Sequence, residues 1–103
     1  GYKFDLRVYV LVVGSENMQA FVCDEGLARF CTAKYEAPNK SNYKKSYMHL
    51  TNYAINCKNK GKFQFNQGLE DSNSGHKRTF TSVIDHIEMN FDDGEKRAEK
   101  MMR

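Results

Sequence analysis

Lys3, Asp5 and Arg7 alternate at the start of the chain. In an extended strand every second side chain leaves from the same face, so the three form one row, spaced by ~6.5–7 Å. A cation–carboxylate–cation row suits a nucleotide: lysine and arginine meet phosphate, and aspartate meets a ribose hydroxyl or a metal. Alternating charge on a solvated strand face is the plainer origin of the same pattern. Arg29 lies within Gly26-Leu27-Ala28-Arg29-Phe30, among small and apolar neighbours. A guanidinium there must meet a carboxylate or phosphate, or else emerge to solvent. It is either a surface strand residue or a bidentate fork for a substrate carboxylate. His49-Leu50-Thr51-Asn52-Tyr53-Ala54-Ile55-Asn56 crowds uncharged donors together. Such residues orient phosphates or carboxylates, and they also serve turns and caps.

The elements that position these residues can be read from periodicity. Val8 to Val13 is a continuous apolar run and is expected to be a central strand covered on both faces. Gly14 to Asn17 has hairpin-turn chemistry, and Met18 to Cys23 returns as a second strand. Asp24-Glu25-Gly26 turns again, into a third short strand over Leu27 to Thr32. Three strands joined by short turns predict an antiparallel meander. Glu36 to Met48 carries loop punctuation around Pro38, and His49 to Asn56 is a compact mixed segment. Asn59 to Arg78 is polar and rich in Gly, Asn, Ser and Lys, which predicts a flexible loop. Phe80, Val83, Ile84, Ile87 and Phe91 fall on one helical stripe, with Thr79 or Thr81 as cap. Asp92-Asp93-Gly94 should interrupt that helix, leaving Glu95–Arg103 as a second helical tail. The fold class is therefore α+β.

The 103 residues suffice for one small domain, but the apolar ones are concentrated from Tyr2 to Phe30 and the chain turns polar and basic after Pro38. That asymmetry predicts an internal fragment ordered against further structure. Net charge is +3, from 16 Lys and Arg against 13 Asp and Glu. This is compatible with nucleotide or acidic peptide, and too small an excess to favour a nucleic-acid binder. Cys23, Cys31 and Cys57 show no CxxC and no zinc-ligand spacing to His49, His76 or His86, so three reduced thiols of a cytosolic protein are expected. No apolar run approaches the ~20 residues of a membrane-spanning helix. A soluble protein without membrane partners is the expectation.

Three blocks carry a more specific signal. Lys3-Phe4-Asp5-Leu6-Arg7-Val8-Tyr9-Val10-Leu11-Val12, then Glu25-Gly26-Leu27-Ala28-Arg29-Phe30, then Met48-His49-Leu50-Thr51-Asn52-Tyr53-Ala54-Ile55-Asn56 resemble tubulin tyrosine ligase-like proteins in composition, order and separation. Gly75-His76-Lys77-Arg78 resembles that family's basic element before a helix. The resemblance covers nearly the whole chain and loosens after Arg78. It implies that residues 1–103 are part of an ATP-grasp domain, an α+β fold whose two lobes hold ATP. The family's chemistry is carboxylate–amine ligation through an acyl phosphate, in most members adding glutamate to glutamate side chains of tubulin tails.

Carried over by position, the resemblance implies that Lys3 and Asp5 contact nucleotide and that Arg7 faces the reacting phosphate and carboxylate as the catalytic residue. It implies that Arg29 binds the carboxylate of the incoming amino acid and that Thr51 and Asn52 contact ATP. Ala54 would line the amino-acid pocket, where many polyglutamylating members carry Ser. Lys77, with Arg78 as its alternative, would be the basic residue near the amino acid. ATP and Mg2+ are the implied cofactors. The upstream ATP-binding lobe and the downstream magnesium ligands have no counterpart here; Asp92 and Asp93 come too early to replace them. Ligase activity is therefore not expected of these residues alone. Partners implied are free glutamate and tubulin C-terminal tails or microtubules, with no nucleic acid and no membrane. The implied location is cytoplasm and cytoskeleton, at microtubules, cilia or basal bodies. The competing reading is a catalytically inactive, truncated module that binds tubulin tails or nucleotide.

Overall fold

A computed structural model describes residues 1–67 and 75–102. Strand β1 (Tyr2–Arg7) pairs antiparallel with β4 (Leu27–Lys34), and β4 pairs on its other edge with β5 (Lys77–Thr79), giving the order β1-β4-β5. Between β1 and β4 the chain makes a separate hairpin of β2 (Val10–Val13) and β3 (Gln19–Val22). Among the described residues four helices follow in sequence: single turns α1 (Ser46–His49) and α2 (Tyr53–Asn56) before β5, then α3 (Phe80–Asn90) and α4 (Gly94–Met102). The arrangement is mixed α and β, with antiparallel strands and C-terminal helices, consistent with part of an ATP-grasp fold.

Two expectations change. The Val8–Val13 run is not a strand covered on both faces. Its strand portion, β2, pairs among the described residues only with β3, and every residue of both strands is exposed. Period and composition register apolarity but not what lies against it. The strands also do not follow each other in space, because β4 returns past β3 to pair with β1. The hairpin turn does form where glycine permits it: Gly14 takes φ +92, and a Cβ there would lie 2.7 Å from the Asn17 carbonyl oxygen.

The three-stranded sheet sorts its side chains by alternation. One face carries Phe4, Leu6, Ala28, Phe30 and Arg78, because Phe4 pairs with Phe30, Leu6 with Ala28, and Ala28 with Arg78. The Phe4 and Phe30 rings stack at 5.3 Å, and the Arg78 guanidinium lies 5.1 Å over Phe30. Helices α3 and α4 approach this face, leaving a groove of about 750 Å³ between Phe4, Phe30, Val83, Ile87 and Phe91. Fully or nearly buried apolar groups are few: Ala28, Cys31, Met48, Phe80, Val83 and Ala98.

Helix α3 starts where its stripe and caps say it should. Thr79 takes an extended conformation and its hydroxyl accepts the Ser82 N–H at 3.2 Å. The Glu25 carboxylate adds a second cap across the sheet, accepting the Phe80 N–H at 2.8 Å and the Thr81 hydroxyl at 2.7 Å. The interruption near Asp92-Asp93-Gly94 and the second helix after it are both present. The expected loop from Asn59 to Arg78 differs at its end, since Lys77 and Arg78 add a strand to β4. Its residues 68–74 lie outside the described part of the chain.

Candidate functional site

The face opposite the phenylalanines gathers the charged residues. Lys3, Asp5 and Arg7 leave β1 on this side, as their alternation requires. Asp5 stands directly opposite Arg29 on β4, and Arg29 stands directly opposite Lys77 on β5. Cross-strand partners share a face, so Asp5, Arg29 and Lys77 form a row across all three strands. Arg78, next in sequence, belongs to the phenylalanine face. Four cations and one carboxylate thus share a surface three strands wide.

Arg29 and Asp5 are bound to each other. The guanidinium donates from Nε to Oδ1 at 3.0 Å and from Nη2 to Oδ2 at 2.5 Å. This bidentate contact holds the Asp5 carboxyl below its ordinary range, with a hydrogen bond from Thr51 adding to it, while partial burial opposes the shift. The same bond raises Arg29 further above neutrality. The carboxylate anticipated for Arg29 is therefore one from its own sheet. Two of five guanidinium N–H groups are used, and three remain for a ligand.

A short segment, His49 to Tyr53, crosses this face from one edge to the other. The Lys3 ammonium donates to the His49 carbonyl at 2.8 Å. The Cys31 thiol donates to the Leu50 carbonyl at 3.2 Å, and burial pushes that thiol's pKa up. Thr51 reaches Asp5. The Tyr53 ring lies 5.1 Å beneath the Lys77 ammonium and meets Phe63 edge-on at 5.6 Å. Thus Lys3, Asp5, Arg29, Thr51 and Lys77 come together. Asn52 is exposed at the start of α2, where its carbonyl accepts the N–H groups of Ile55 and Asn56, and Ala54 is exposed on the same turn. Arg7 lies at the end of β1, exposed, with its guanidinium 5.8 Å from the Tyr9 ring centroid.

Four residues without an assigned role prove structurally central. Tyr53 joins Thr51 to Lys77; an aromatic beside a polar pair was the available signal. Glu25 and Gly26 precede Arg29 in the Glu25–Phe30 stretch, yet their work is to cap α3 and to let chains approach closely. A Cβ on Gly26 would come within 2.5 Å of both the Arg7 carbonyl oxygen and the Phe80 ring. Asn56 is 1% exposed and links β4 to the crossing segment. Among the described residues, no group of three or more His, Cys, Asp or Glu gathers to hold a metal. No helix among them is long and apolar enough to cross a membrane, and the three cysteines are free.

The model of the Tubulin-tyrosine ligase family matches residues 1–102. A probable beta-tubulin polyglutamylase of Tetrahymena thermophila is 47% identical over 88 residues, covering 85% of this chain and 7% of that protein. Tubulin polyglutamylase ttll6 of Danio rerio is 46% identical over 93 residues, 89% of this chain and 11% of its own length. Tubulin polyglutamylase TTLL6 of Mus musculus is 48% identical over 87 residues, 82% of this chain and 10% of its own. The chain thus spans about a tenth of the length of these curated relatives.

Proposed function

Because the chain belongs to the tubulin-tyrosine ligase family, we propose that it is part of an ATP-dependent carboxylate–amine ligase that adds glutamate to glutamate side chains of tubulin tails. The observation that carries this reading is the row of Asp5, Arg29 and Lys77 beside Lys3 and Arg7. Nucleotide phosphates, free glutamate and an acidic tail repel one another, and a face with four cations draws them together.

The residues fit ATP at the level of donor chemistry. Lys3 and Asp5, with Thr51 and Asn52 from the crossing segment, would hold the nucleotide, which when bound supplies the phosphoryl group that activates an acceptor carboxylate. Arg29, oriented by Asp5, would direct its remaining N–H groups at the carboxylate of the incoming glutamate. Lys77, steadied by Tyr53, would add a second positive charge beside it, and Ala54 would leave room without contributing a hydroxyl. Arg7 would stabilise negative charge where the two substrates meet. The magnesium ligands would lie outside this stretch of the protein; among the described residues no group of three or more His, Cys, Asp or Glu gathers. Microtubules and cilia are the location that fits such a substrate.

The test uses the full-length protein with ATP, Mg2+, labelled glutamate and microtubules. Incorporation of label is expected, with Arg29→Ala reducing it at least tenfold through the loss of a charged hydrogen-bonding group, worth about 1.5–3 kcal/mol. Nucleotide binding without incorporation would favour a non-catalytic module, and unchanged incorporation by Arg29→Ala would remove its assigned role.

A further inference from the structure

We propose that Asn56 is a positioning residue for the candidate site, setting the height and register of the segment that crosses Asp5, Arg29 and Lys77. The inference rests on the reading of Thr51, Asn52 and Lys77 as ligand contacts. Asn56 is buried and uses its whole hydrogen-bonding capacity, two acceptor sites and two donors. Oδ1 accepts the Thr32 N–H at 3.0 Å and the Thr32 hydroxyl at 2.9 Å. Nδ2 donates to the Leu50 carbonyl at 2.7 Å and the Asn52 carbonyl at 3.0 Å. Asn59 donates to the Thr32 hydroxyl at 2.8 Å, which leaves that hydroxyl's own proton for Asn56.

The place of this contact matters. Along the edge of β4 that faces β5, the Phe30 N–H bonds the His76 carbonyl at 2.9 Å. The next N–H on that edge is Thr32, beyond the reach of β5, and the Asn56 side chain takes the position a further strand residue would fill. One end of the amide thus continues the sheet, and the other holds the Leu50 and Asn52 carbonyls. Between those two carbonyls lies Thr51, which meets Asp5. Immediately after them lies Tyr53, which carries the Lys77 ammonium. A shift of this turn moves both contacts at once.

Asn56→Asp in the full-length protein tests the role. Aspartate keeps the acceptor toward Thr32 but sets an oxygen against the Leu50 and Asn52 carbonyls. The expected result is a rise of about tenfold in KM for ATP and for the amino acid, as for a lost hydrogen bond or two, with a smaller change in kcat. A purely structural role would lower the active fraction, and so kcat, at unchanged KM; that outcome overturns the proposal. Amide exchange in the unsubstituted protein decides the matter even where the variant does not fold. The Thr32 and Asn56 amides are expected to exchange slowly and in step, and fast exchange at Thr32 overturns the lock. Should Arg29 and Lys77 variants leave ligand binding unchanged, the functional reading fails, while amide exchange still decides whether Asn56 ties the turn to β4.

Discussion

Asp5 and Arg29 stand directly opposite one another on β1 and β4, and the guanidinium engages both oxygens of the carboxylate. The pair is partly open to water, with side-chain exposures of 37% and 26%. Its contribution to stability is therefore modest, while its contribution to orientation is not: an arginine gripped at Nε and Nη2 has one plane left in which to meet a ligand.

Replacing Asp5 by Asn should cost about 1 kcal/mol at neutral pH, the upper end for an exposed ion pair. The Asp5 carboxyl titrates below its ordinary value in the folded protein, chiefly because Arg29 bonds its ionised form. Stability from this group is thus full above the unfolded pKa, about 3.9, and is lost as pH falls through the lower folded value. The gap in melting temperature between wild type and Asp5→Asn should stay level from pH 7 to about 4, then close. A gap that widens in acid contradicts this account.

Gly26→Ala should destabilise the protein by about 1–3 kcal/mol, the usual effect of overpacking. The added methyl meets the Arg7 carbonyl and the Phe80 ring, one of them backbone, so neither neighbour can step aside cheaply. Because Gly26 sits where β4, β1 and α3 converge, the strain falls on the strand pairing that aligns Asp5 with Arg29. A urea midpoint equal to that of the wild type would show that the convergence relaxes.

Glu25→Ala removes the acceptor of the Gly26 and Phe80 N–H groups and of the Thr81 hydroxyl. Burial pulls the Glu25 pKa upward, but these bonds outweigh it and hold the carboxyl below its ordinary value. The expected loss is about 1–2 kcal/mol, comparable to that of a helix cap. Faster amide exchange at Phe80 and Thr81, with β1 unchanged, is the local signature to look for.

Local chemistry was legible in the sequence. The Thr79 cap, the Gly14 turn, the α3 stripe and the break before α4 each depend on residues close together in the chain. The common face of Lys3, Asp5 and Arg7 followed from alternation alone. What stayed hidden depends on pairing between distant segments. Nothing local says that β4 passes β3 to join β1, so nothing local could match Asp5 with Arg29 or Arg29 with Lys77. The β5 strand was invisible for the same reason: three residues after a polar stretch carry no period, and only β4 makes them a strand. The β2–β3 hairpin formed as its turn and strands predicted, but the covering expected of its first strand did not, because an apolar sequence records a preference for burial rather than its achievement.

His76 carries the last expectation. Its Nδ1 accepts the Gln64 N–H at 2.9 Å, while its own backbone N–H returns to the Gln64 carbonyl at 3.1 Å. The ring stacks on Phe63 at 5.3 Å and immediately precedes Lys77. Burial pushes its pKa below the ordinary value, and the Arg78 cation adds to the shift. The folded state thus favours the neutral ring, which alone can accept at Nδ1. Stability from this clasp is full above the unfolded pKa, about 6.5, and is lost as pH falls through the lower folded value. In an NMR titration the His76 ring should protonate below pH 6.5, with the Gln64 amide losing protection at the same midpoint. A midpoint at or above that value would mean the ring already donates, and that the clasp runs the other way.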